Sequence, residues 1–188
     1  MKKLLIFIAM VFVPVFAIPA AFAAPAQVIV IRHAEKPETG NELSELGWKR
    51  AYALVDFFKN NKAVTRYGTP AAIYGMAPKD EQGTLRAIQT VLPLSKELNL
   101  KINTKYKKKS ERALANEILK TEAYNGKMVL VCWEHHAILD ILAAFNVKNG
   151  PQQWPGASFD RAWVLNFEGD KVTSFEDVPQ HVLPGDSE

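Results

Sequence analysis

The sequence predicts an α/β domain: a three-layer sandwich in which a mainly parallel central sheet is flanked by helices. Three observations predict it. Within "QVIVI" at 27–31 and "KMVLVCW" at 127–133, residues 28–31 and 128–133 are unbroken runs of β-branched and apolar residues, the pattern of strands covered on both faces. Strand-like runs alternate with stretches whose apolar residues recur at helical spacing, which calls for parallel strands joined by crossover helices. The chain closes on "RAWVLNFEGDKVTSFEDV", two strand-like runs about the turn "EGDK", which adds an antiparallel hairpin.

The N-terminus comes first in chain order and stands outside the fold. Lys2 and Lys3 precede an apolar run from Leu4 to about Ile18 and then the small residues of "AAFAAPA". This is the layout of a secretory signal over residues 1–23, with Ala21-Phe22-Ala23 as the cleavage pattern. An uncleaved membrane anchor is the rival reading, and Pro14 and Pro19 argue against it. The expectation is therefore a single domain over 24–188, periplasmic or secreted, with no stable membrane insertion after cleavage. Cys132 is the lone cysteine, so no internal disulfide can form and burial must hold the domain together. Its place in an apolar run marks it as a small core residue.

After the first strand, "ELSELGWKRAYALVDFFKNN" reads as a helix with Ser44 as cap and Leu46, Ala51, Leu54, Val55 and Phe58 on its inner face; Gly47 weakens its first turn. "AAIYGMA" is a second short strand. The polar connection "PKDEQG" leads to a helix from about Thr84 that Pro93 bends. "LKINT" is a weak strand and "SERALANEILKT" a helix capped by Ser110. The strand "KMVLVCW" runs directly into the helix "HHAILDILAAF". The formal charge of +3 includes the two signal lysines, and the one local excess, "KINTKYKKKSER", reads as a solvated basic face. No aromatic interleaving supports nucleic-acid binding.

In open α/β sheets, working groups gather beyond the carboxyl ends of the strands. His33 sits just past the first strand, Arg86 in the first turn of the helix after the second, and His135 just past "KMVLVC". Phosphoryl transfer needs permanent planar cations around three charged oxygens more than covalent machinery, and Arg32 and Arg86 supply them. A neutral imidazole between them can act as nucleophile, because an adjacent guanidinium disfavours imidazolium. A second histidine, if protonated, adds a charge-assisted bond.

On these residues the sequence resembles the histidine phosphatase superfamily, also called phosphoglycerate mutase-like. "IRHAEKP" resembles its arginine-histidine signature, "LSELGWKRA" its first helix, "IYGMAPKDEQGTLRAIQT" its second strand and arginine-bearing helix, and "VLVCWEHHAI" its late strand ending in histidine. The resemblance implies a phosphoglycerate mutase-like fold and a phosphatase that hydrolyses a phosphomonoester through phosphohistidine on His33; with the N-terminal signal, the expectation is an exported enzyme acting on a small-molecule or surface-glycan phosphomonoester. It implies that Arg32, Arg86 and His135 hold the phosphate, with no cofactor and no metal. His135 is preferred over His136 as the first residue beyond the strand, where alternation would turn its neighbour away. Ala34 stands where the family has glycine. The leaving-group acid is open among Glu35, Glu81, Asp80 and Glu134, with Glu81 and Glu35 level. Two other classes remain: a non-catalytic phosphate-binding or sensing module with the same pocket, and a metal-dependent hydrolase built on His33, Glu35, His135 and His136, which the two arginines disfavour.

Overall fold

The structure is a computed structural model describing residues 24–187, so the expected signal at 1–23 lies outside the described residues. Its elements in chain order are β1 (Gln27–Arg32), α1 (Glu45–Asn60), β2 (Ala72–Gly75), α2 (Arg86–Glu97), β3 (Ile102–Asn103), α3 (Glu111–Lys120), β4 (Met128–Trp133), α4 (His135–Ala144), β5 (Arg161–Glu168) and β6 (Lys171–Pro179). The sheet has the order β3-β2-β4-β1-β5-β6. β3, β2, β4 and β1 are mutually parallel, and β5 and β6 join antiparallel.

Handedness then distributes the helices. The connections from β1 to β2 and from β2 to β3 run toward one edge of the sheet, whereas those from β3 to β4 and from β4 to β5 run toward the other. Right-handed crossovers in opposite directions place their helices on opposite faces, so α1 pairs with α2 and α3 with α4. β1 and β4, the strands from which the connections diverge, are side by side and buried along their whole length. From Val28 and Met128 onward nothing in either run is polar until Arg32 and Glu134, which is why both read as strands covered on two sides.

Local departures from the sequence reading have physical causes. Ser44 caps α1 as expected, accepting the Gly47 N–H at 3.1 Å. Leu46, however, is exposed, and the inner face of the first turns is taken by Gly47 and Arg50. Gly47 is not a weak point: a Cβ there would meet the Glu35 carbonyl oxygen at 2.3 Å, so the glycine is what lets α1 approach the loop after β1. Ser110 does not cap α3. No side chain caps it; the Glu111 carboxylate turns back to accept the Lys109 N–H ahead of the helix and the buried Trp133 indole N–H, each at 3.1 Å. α2 begins at Arg86 and runs unbroken through the buried Pro93. Among the described residues no helix is long and apolar enough to cross a membrane.

Alanine normally stabilises a helix interior by ~1 kcal/mol over glycine. At position 47 the sign reverses, because displacing a backbone carbonyl costs ~1–3 kcal/mol or more. Gly47→Ala is expected to lower the urea midpoint of unfolding; an unchanged or raised midpoint would show that the contact relaxes freely.

Candidate active site

β1 and β4 remain in register to their last residues, Arg32 opposite Trp133, and the His33 N–H donates to the Trp133 carbonyl at 2.9 Å. This pairing sets the exit of β1 beside the start of α4, where His135 is the first helical residue. The ends of these strands are at the point where the crossover connections part, the usual ligand position of such sheets.

His33 is 5 % exposed. Its Nδ1 lies 2.7 Å from the Ala34 carbonyl, which can only accept, so that nitrogen carries the proton and Nε2 keeps its lone pair. Burial is the main reason its pKa is pushed down to about 4; the charges of Arg32, Arg86 and His135 act in the same direction and the Ala34 carbonyl opposes them. Three of the sequence-predicted residues therefore act on the fourth, and they come from three separate segments.

Arg32 is buried, and its Nη1 donates to the Gly156 and Ser158 carbonyls at 2.7 and 3.1 Å. Its guanidinium carbon stands 3.8 Å from the centre of the Phe159 ring, whose edge of the loop also faces His33, ring to ring at 6.1 Å. Desolvation lowers its pKa to about 10, against the pull of Glu35, so it stays a cation at neutral pH. Its Nε is buried with no partner. Arg86 is half-buried and donates to the Glu42 carbonyl at 3.1 Å and to the Gly40 carbonyl, which braces the loop ahead of α1.

His135 is half-buried, and its Nδ1 is a second buried polar atom without a partner. Its pKa is also pushed down to about 4, first by desolvation and then by Arg32, His136 and Lys36, with Glu134 opposing. The ring is thus neutral at pH 7, not the protonated donor that the sequence reading allowed; a bound dianion would favour its protonation. The reason given for preferring it over His136 also needs correction. The strand has ended, the two rings lie 3.8 Å apart in the first turn of α4, and His136 differs by being exposed, not by strand alternation.

The candidate acids separate. Glu35 is bound by Arg50 through both carboxylate oxygens, at 2.7–3.1 Å, and Arg50 also holds Asp186 at 2.7 and 3.0 Å. Both of its oxygens are thereby turned to Arg50, so Glu35 is an ion-pair anchor of the loop where the sequence reading considered it as a proton donor. Glu134 pairs with Lys108. Asp80 accepts the Gln82 N–H at 3.1 Å, and Glu81 is exposed in the same turn before Arg86. Glu81 alone of the two favoured candidates remains available. Among the described residues no group of three or more His, Cys, Asp or Glu side chains is placed to hold a metal.

Sequence reading missed several positioning residues. Thr90 accepts the Ala34 N–H at 2.8 Å and donates to the Arg86 carbonyl at 2.7 Å, so α2 grips the turn behind His33 with the same segment that carries Arg86. A threonine four residues after Arg86 on the buried face of an apolar helix was the available signal. Trp154 is buried against Trp163, and its indole N–H donates at 2.9 Å to the Ser158 carbonyl that Arg32 also holds. Phe159 and the Arg50–Asp186 pair had no sequence signal, being distant contacts between single residues.

No family model matches the chain, and no curated protein matches it. Among solved structures it is similar to SixA from Agrobacterium tumefaciens, described as a candidate phosphohistidine phosphatase, at 18% sequence identity and a TM-score of 0.49, over 81% of this chain and 98% of that one. At that identity and score the likeness says nothing about chemistry.

The depressed histidine sets a pH dependence of stability. The unfolded chain protonates His33 below its ordinary 6.5, whereas the folded protein resists until about 4, so stability is full above pH 6.5 and is lost as pH falls through that window. One pKa unit corresponds to ~1.4 kcal/mol, so the loss at this buried ring is on the order of 3 kcal/mol. His33→Gln is expected to flatten the fall in urea midpoint between pH 7 and pH 4.5. An equally steep fall in the variant would assign it to other groups.

Proposed function

We propose that the protein is an exported histidine phosphatase that hydrolyses phosphomonoesters through a phosphohistidine on His33. The observation that carries this reading is the cradle itself. A buried, unprotonated imidazole with its Nε2 lone pair free is surrounded by two permanent cations, and two further buried polar atoms, Arg32 Nε and His135 Nδ1, have no partner. Orphaned buried polar atoms are costly and persist where a ligand satisfies them. Two guanidiniums beside a neutral nucleophile suit a phosphoryl dianion, whose charge is spread over three oxygens. The export part rests on the N-terminal residues "MKKLLIFIAMVFVPVFAIPAAFA".

In the reaction, Nε2 of His33 attacks phosphorus in line with the ester oxygen, and the P–O bond breaks as the P–N bond forms. Arg32 and Arg86 stabilise the peripheral oxygens. The leaving alkoxide takes a proton from a carboxyl group, for which Glu81 is the remaining candidate, or from water. Water then attacks phosphorus and gives up a proton to the carboxylate or to solvent, the P–N bond breaks, and inorganic phosphate and the neutral imidazole are released. The Nδ1–H bond to the Ala34 carbonyl keeps the ring in the tautomer with its lone pair on Nε2 throughout. A second reading, a phosphate-binding module without turnover, draws support from the site's lack of a carboxyl group committed to His33 as a donor.

His33→Ala is expected to abolish turnover of p-nitrophenyl phosphate and the acid-labile phosphoenzyme, with the far-ultraviolet dichroism unchanged. Full activity in that variant rules the nucleophile out, and a wild-type protein that binds vanadate but forms no phosphoenzyme is the binding module. Arg86→Ala is expected to weaken vanadate binding by about 2–3 kcal/mol, the scale of a charge-assisted bond to an anion. Activity is expected to persist in chelator; its loss would restore the metal-dependent class.

A further inference from the structure

The segment from Trp154 to Asp160, between α4 and β5, is anchored at both ends. Trp154 packs against Trp163, and its indole N–H ties it to the Ser158 carbonyl at 2.9 Å. Asp160 is buried at the other end, where its carbonyl accepts the Gln180 N–H at 2.8 Å and its carboxylate accepts the Ser187 N–H at 2.5 Å. Phe159 lies between these two anchors. Its half-buried ring is therefore presented from a fixed stretch of backbone, with its centre 3.8 Å from the guanidinium carbon of Arg32 and 6.1 Å from the centre of the His33 ring.

A guanidinium carries all its donors in one plane, so what it can bind depends on which edge is free and how that plane is tilted. In Arg32 the Nη1 end is taken up by the Gly156 and Ser158 carbonyls and one face by Phe159. Glu35, the carboxylate whose charge acts on Arg32, turns its oxygens to Arg50 instead. The Nε–H is buried and has no partner. Two carbonyl bonds at one terminal nitrogen resist tilting of the plane only through hydrogen-bond angles, which are soft. A ring against the face resists it sterically, and its negative face attracts the cation. A carboxylate in that place would hold the group as firmly but would cancel its charge.

On the proposed phosphatase reading, we infer that Phe159 is a positioning residue for phosphate binding: its ring fixes the plane of Arg32 so that the unpartnered Nε edge meets the oxygens of the phosphoryl group. Phe159 acts through Arg32. Because the guanidinium is ordered before the anion arrives, binding does not have to restrain a long, rotamer-rich side chain. An aliphatic residue of similar size would fill the same space without offering the cation a negative face. The aromatic character of position 159, more than its bulk, is thus what the site requires.

The test measures vanadate binding by calorimetry to the full-length protein carrying Phe159→Leu, which removes the ring, or Phe159→Tyr, which keeps it; Phe159→Met replaces the leucine variant should that one melt early. Loss of the ring is expected to weaken binding about fivefold or more, and the tyrosine variant to stay within about twofold of wild type. In ligand-free protein the nitrogen-15 cross-peak of the Arg32 Nε–H, assigned with Arg32→Lys, is expected to be sharp in wild type and the tyrosine variant and broadened when the ring is lost. Wild-type affinity without the ring, an equal loss in the tyrosine variant, or an unchanged Arg32 cross-peak overturns the assignment even if p-nitrophenyl phosphate is turned over. The expected differences in a protein that binds vanadate but hydrolyses no ester uphold it and remove the phosphatase reading instead.

Discussion

The site depends on one backbone contact, the parallel pairing of β1 with β4 that continues one residue past both strands as the His33 N–H to Trp133 carbonyl bond. Two strands separated by about a hundred residues of sequence thereby end level. The crossover connections depart in opposite directions from this pair, and in open α/β sheets that is where ligands bind. Every group assigned to the cradle is measured from that line: Arg32 and His33 at the end of one strand, His135 at the start of the helix leaving the other, and Arg86 delivered by α2 through Thr90.

Arginine is used in two opposite ways in this molecule. Arg50 is buried against Glu35 and Asp186, and the pair of carboxylates raises its pKa further. It ties the loop after His33 to the C-terminal segment, and a buried cation so neutralised has nothing left for a ligand. Arg32 is as deeply buried, yet its bonds go to uncharged carbonyls and its face to the Phe159 ring, so its charge is held in place and not cancelled. That contrast separates a structural cation from one poised for an anion. It also explains the low histidine pKa values, since uncancelled charge and desolvation act together on His33 and His135.

Much of the fold was legible because its signals are local. The buried runs at β1 and β4, the Ser44 cap and the closing hairpin all survive in the structure with boundaries shifted by a residue or two. The failures share a cause. Gly47 was read as a helix weakness because its reason for being glycine, the Glu35 carbonyl, lies twelve residues upstream across a turn. Ser110 was read as a cap from its type, but its side chain makes no capping bond, and the helix start is fixed instead by Glu111 engaged with the Lys109 N–H and the distant Trp133 indole. Glu35 was weighed as an acid from its distance to His33 along the chain, whereas Arg50 claims its carboxylate.

What the sequence determined by itself was the list of strands and helices, their order, and thus which segments end at one edge of the sheet. It did so because apolar periodicity and strand handedness are short-range properties that residue types express directly. Tertiary structure alone decided which charges are cancelled and which are left to act. Glu35, Arg32 and the lysines after Tyr106 are alike in composition to many surface residues, and only their long-range partners distinguish anchor, clamp and solvated side chain. Electrostatic character depends on distance and burial, and neither is written in the spacing of residues along a chain.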